Sequence, residues 1–196
     1  MPQGEAVLPR TADEVVETEA EREALAAVRE ATGETDGAYE RHGLRVFLIA
    51  RELAARRGTE ADREVLVVTG LLHDLGLYDA ISRGGVYVKD GADFARELVA
   101  RHAWSEERAT LCANAIERHH ELRSQWAAGA EVELTRRADL VEVSGGIVTF
   151  GLPRSWIGEL FAAISREHFY RDVARLLGHA VRERPLTLPR IFLRGH

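Results

Sequence analysis

The stretch Val65-Leu66-Val67-Val68-Thr69-Gly70-Leu71-Leu72-His73-Asp74-Leu75-Gly76 decides the fold. It is apolar nearly all round, and a helix hydrophobic on every side belongs in the middle of a bundle. Thr59 or Asp62 upstream can cap its start. The burial this demands ends on two polar residues, His73 and Asp74, so the central helix carries an imidazole and a carboxylate at its tip.

Working outward, the pattern stays helical. Upstream, a helix over about 40–56 places Val46, Ile49 and Leu53 on one face, with His42 on that face four residues before Val46. An acidic helix over about 12–31 precedes it, separated by the turn-like residues 33–37. Downstream, the loop 78–89 contains Gly84-Gly85, after which Asp90 is expected to cap a helix, and Ser105 with Glu106 and Glu107 to start another that runs to His120. A helix over about 131–144 carries Asp139 on the face of Val132 and Val143, and Gly145-Gly146 ends it. Pro153 opens a helical region over 153–184, and 185–196 reads as an extended tail. The expectation is an all-α bundle forming a single domain over 1–196.

Composition narrows the function. With 196 residues, 45% hydrophobic and 30% charged, the chain suits a globular domain with a sizeable core. A net charge of −6 disfavours a generic nucleic-acid binder, and no apolar window is long enough to span a bilayer. The single cysteine, Cys112, excludes an internal disulfide, and the first residues lack a signal-peptide pattern, so a cytoplasmic location is expected. Of the 26 Lys and Arg residues only Lys89 is lysine. Trp156, Phe161 and Ile164 suit either the core or a dimer face, which leaves self-association as a homo-oligomer open.

Four groups on three helices, His42, His73, Asp74 and Asp139, can meet inside a bundle. Two buried carboxylates and two imidazoles are costly unless something compensates them. A divalent cation satisfies the carboxylate charge and the histidine lone pairs together.

With RHGLRV at 41–46, GLLHDLGLY at 70–78, VKDGADFAREL at 88–98, AIERHH at 115–120 and RRADLVEVSGG at 136–146, the sequence resembles the HD-domain superfamily of metal-dependent phosphohydrolases over roughly 38–147. It is most similar to the small single-domain branch that includes cyanamide hydratase. The resemblance implies an HD-type helical bundle with the metal site between core helices and His42, His73, Asp74 and Asp139 as ligands. Two-metal members carry a further histidine just before the helix near Asp90. Here that position, four residues before Gly91, is Tyr87, so one divalent transition metal, zinc, iron or manganese, is expected, and a two-iron oxygenase is disfavoured.

Cys112, Ala115, Ile116 and His119 share a helix face, which points His119 at the core and turns His120 about 100° away. Proteins of the resembling family line their pocket with a histidine here, so His119 is a candidate proton-transfer and substrate-binding group, with His120 beside it. Lys89, just before a helix start, can hold an anion or a leaving group. Arg45, three residues from His42, can pair with a site carboxylate or point to solvent. Glu117, Glu121 and the far-end His102 read as outside the site.

The function expected is attack by metal-activated water on a small-molecule substrate, with Asp74 as ligand and orienter of the water and His119 and Lys89 beside it. Phosphoester hydrolysis and nitrile-type hydration both fit. The alternative is an HD module that binds a ligand without turnover.

Overall fold

The computed structural model describes residues 8–168 and residue 171. Among them there are seven α-helices and no strand: α1 (Glu19–Thr32), α2 (Ala38–Arg57), α3 (Arg63–Leu72), α4 (Tyr87–Ala100), α5 (Glu106–Arg118), α6 (Ala130–Val143) and α7 (Arg154–Ala163). Short 3-10 turns precede α1 and lie between α3 and α4 and between α5 and α6.

Helix α3 is the central element, touching α1, α2, α4, α5 and α6. Its Val65, Val68 and Leu72 are fully buried, as are Leu48 and Ile49 of α2, Leu98 of α4 and Ile116 of α5. Each such side chain contributes roughly 1.5–3 kcal/mol over exposure. One continuous apolar cluster runs from Ala12 to Ile164. Helices α2 and α3 cross where glycine meets glycine. A Cβ on Gly43 would stand 2.6 Å from the Gly70 carbonyl oxygen, and one on Gly70 would stand 2.9 Å from that of Gly43. This contact brings the first turns of α2 against the last turn of α3.

Caps set most of the boundaries. Asp62 accepts from the Val65 amide at 3.2 Å and Ser105 from that of Arg108 at 3.2 Å, as expected of N-caps. The helix expected over 12–31 is divided: Ala12–Glu14 forms a 3-10 turn, and α1 starts only at Glu19, because Thr18 and Glu21 form a reciprocal capping box. Asp90 is not a cap. Helix α4 begins at Tyr87, and the Asp90 carboxylate, one turn inside, reaches back to accept from the amides of Arg83 at 2.8 Å and Gly85 at 3.1 Å. It closes the loop before the helix. Helix α5 ends at Arg118, before the histidine pair, and Gly145 and Gly146, both left-handed, follow the end of α6. Pro153 does open α7, but that helix ends at Ala163, where Ile164 turns to extended backbone. The expected helix does not continue through 165–168, which form irregular backbone and a turn, and beyond them the continuation to 184, apart from Arg171, and the tail 185–196 lie outside the described residues. Ile164 is buried in the core, and Trp156 and Phe161 are half-buried against it. No helix among the described residues is long and apolar enough to cross a membrane.

Candidate metal centre

The α2–α3 crossing places His42 beside His73, the C-cap of α3, and Asp74 follows as the chain turns off the helix. Helix α6 packs along α2 and supplies Asp139. From His42 Nε2, His73 Nε2 is 2.9 Å away, Asp139 Oδ1 3.6 Å and Asp74 Oδ2 4.0 Å. His73 Nε2 is 3.7 Å from each of the same two carboxylate oxygens. Donors bound at about 2.1 Å to one cation stand roughly 3.0–3.5 Å apart, so His42, His73 and Asp139 need only small adjustments to share one; Asp74 joins His73 in a second group with His119 rather than in the same one.

The hydrogen bonding of the two rings suits a positive charge between them. His73 Nδ1–H donates to the Gly70 carbonyl at 2.9 Å, and His42 Nδ1 lies 3.1 Å from Glu142 Oε2. The Gly70 carbonyl keeps a proton on His73 Nδ1; with His42 in the same tautomer, two Nε2 lone pairs would face each other at 2.9 Å. Such a contact is repulsive unless a proton or a metal lies between them. Asp139 Oδ1, buried and aimed at the same point, has no hydrogen-bond partner.

The electrostatics agree. Burial alone would depress His73, but the charges of Asp74 and Asp139 and the Gly70 carbonyl raise its pKa to about 9. Burial pushes the two aspartates up. It is outweighed by His73, His119 and His120 around Asp74, and by His120, His73 and His119 around Asp139, which hold both well below the usual carboxylate range. Without a metal, the cluster holds a proton in its place.

A family model described as HD domain matches residues 39–144, from the start of α2 to the end of α6. The chain belongs to the HD domain family. No curated protein matches it. HD domains bind divalent metals, and this one has the buried histidine and aspartate groups to do so.

Two histidines enlarge the HD cluster. His119 Nδ1–H donates to the Ile116 carbonyl at 2.6 Å, which turns its Nε2 to within 3.2 Å of Asp74 Oδ1. His120 was expected to point about 100° away. Because α5 stops at Arg118, the pair sits in a turn rather than on a helix, and the two rings lie 3.9 Å apart on the same side. His120 Nδ1 is 3.4 Å from Asp139 Oδ2. His73, Asp74 and His119, and likewise His119, His120 and Asp139, form further groups able to hold a cation. Burial and the neighbouring His120 depress His119, whereas Asp139 and Asp74 raise His120 against its burial.

The Tyr87 hydroxyl, at the start of α4, lies 2.6 Å from His120 Nε2 in a hydrogen bond. Burial and the charge of Asp74 push its pKa well up, so the phenol stays protonated. Lys89 is not brought into the cluster. Two residues along α4 it faces outward, its side chain about half exposed and its Nζ 3.0 Å from Asp93. Arg45 takes the carboxylate option: it is fully buried against Glu142, a group that residue-type arguments passed over. His102 pairs with Glu23 away from the site.

Proposed function

We propose that this HD domain is a metal-dependent hydrolase or hydratase that directs water onto a small, uncharged electrophile such as a nitrile. The observation that supports it is the 2.9 Å approach of the His42 and His73 Nε2 atoms, flanked by Asp74 and Asp139. A divalent cation held there supplies Lewis acidity, lowering the pKa of water towards neutrality and polarising the substrate. The mixed nitrogen and oxygen donors suit zinc, iron or manganese.

The protein's own groups divide the remaining work. Asp74 turns Oδ2 to the ligand histidines and Oδ1 to His119, so one carboxylate spans the cation side and the base side. His119, its pKa depressed and its Nε2 facing inward, can accept a proton from the attacking water. The Tyr87–His120 pair lies beside it as a proton source for nitrogen or oxygen that gains charge.

Charge balance favours the uncharged substrate. Among the described residues no lysine or arginine pairs with Asp74 or Asp139, whose ion pairs are all with histidines. A phosphate dianion entering beside two carboxylates wants cations. Phosphoester hydrolysis is the second reading, favoured by membership of the HD family and by His119 and His120, which would have to carry the phosphate charge. The test is a screen of zinc-, iron- and manganese-loaded protein against nitriles, cyanamide and phosphomonoesters, with His73→Ala as control. Turnover of an uncharged substrate that the control lacks supports the proposal. Turnover of phosphoesters alone moves it to the second reading, and no turnover on any class refutes catalysis on these substrates.

A further inference from the structure

His42 and Arg45 stand three residues apart on α2, and Asp139 and Glu142 three apart on α6, so two matched pairs face each other across one helix contact. The His42 ring bridges two carboxylates. Its Nε2 faces Asp139 Oδ1 at 3.6 Å, and its Nδ1 faces Glu142 Oε2 at 3.1 Å. The Glu142 side chain has no exposed surface and is held from the other side. Arg45 donates from Nε to Glu142 Oε1 at 2.8 Å and lies 2.6 Å from it through Nη2, and Arg166 Nε donates to the same oxygen at 3.3 Å. The two arginines also grip the backbone: Arg166 Nη2 donates to the Glu142 carbonyl at 2.6 Å, and Arg45 Nη1 to that of Ser165 at 2.7 Å.

We propose that Glu142 is the positioning residue of the metal centre: it fixes the Nδ1–H tautomer and ring orientation of His42, while Arg45 and Arg166 keep its carboxylate from turning away. The inference rests on the metal-centre reading above and deepens it. A fully buried carboxylate is expensive, and Arg45 alone could have been replaced with it by apolar side chains at no loss of stability. What apolar side chains cannot do is hold an imidazole with its lone pair aimed at a cation. Partners of this kind behind a ligating histidine raise its basicity and remove its freedom to rotate.

The test uses the full chain, stripped of metal, and titrates it with Mn2+ alone while electron paramagnetic resonance counts the free ion. Glu142→Gln keeps the volume and an acceptor but loses the charge, and is expected to weaken the Mn2+ Kd by about 10- to 100-fold with unchanged helical circular dichroism. Because this leaves Arg45 buried without its counter-charge, the double variant Arg45→Met/Glu142→Gln is measured beside it. It removes the stranded guanidinium, so its metal-free thermal midpoint is expected to exceed that of Glu142→Gln while the weak Mn2+ binding persists. A merely structural role would restore affinity along with stability. Wild-type Kd in either folded variant overturns the proposal. If the wild type binds Mn2+ no better than His73→Ala, the metal centre itself is refuted, and the role of Glu142 falls with it.

Discussion

Stripping the metal is expected to expose a pH dependence of stability that His73 dominates, with His120, also raised, adding in the same direction. In the metal-free protein the His73 pKa is about 9, against 6.5 for the free side chain, because the proton it holds takes the cation's place between Asp74 and Asp139. A raised basic group stabilises the fold fully below its unfolded pKa and loses that contribution as pH rises through its folded one. The window is therefore pH 6.5 to 9. A shift of about 2.5 units at about 1.4 kcal/mol each is worth on the order of 3 kcal/mol, a large share of a domain's stability. Both aspartates stay ionised throughout, since their pKa values are depressed. Urea unfolding of chelated protein across this window should show the midpoint falling steadily, and chelated His73→Gln, which keeps only the His120 contribution, should start lower and fall less. A wild-type midpoint that does not fall between pH 6.5 and 9, or a fall that His73→Gln reproduces, would refute the reasoning.

Lys89→Ala is expected to leave kcat/KM unchanged on any substrate found and to shift stability by no more than about 0.5 kcal/mol, because an exposed pair four residues apart on a helix contributes little; a tenfold loss of kcat/KM would place the lysine at the substrate after all. Gly43→Ala should destabilise by about 1–3 kcal/mol and weaken metal binding, since its Cβ would stand 2.6 Å from the Gly70 carbonyl and push His42 away from His73; unchanged urea midpoint and Mn2+ Kd would contradict this. The Cys112 thiol, fully buried and pushed by burial to a pKa of about 11, should react with a thiol reagent only on unfolding, and prompt labelling of the native protein would show otherwise.

The helical class and the burial of the 65–72 helix were legible because an all-round apolar run has few other stable places. The convergence of His42, His73 and Asp139 was legible as well, since each sits on a helix face already marked by Val46, Leu72 or Val132. Harder to read were residues whose position depends on where a helix stops. His119 and His120 would diverge on a continuous helix, and only the end of α5 at Arg118 brings both rings inward. Asp90 carries the composition of a cap, but its partners lie in the preceding loop rather than ahead of it. Lys89 drew notice by rarity, which says nothing about direction, and the α4 geometry turns it to solvent. Glu142 was hidden by type, since a glutamate on a helix usually reads as solvated. Its signal was the spacing: His42 with Arg45 and Asp139 with Glu142 repeat the same three-residue interval on two facing helices.

The most direct test of the account is the metal content of the wild type, His73→Ala and Asp139→Ala after incubation with zinc, iron and manganese and desalting, read by inductively coupled plasma mass spectrometry beside circular dichroism. About one divalent metal per wild-type chain is expected, with near-complete loss in both variants and helical content preserved, because the bundle has its own apolar core. A wild type that retains no metal, or either variant holding a full equivalent, would contradict the claim that these residues form a metal centre.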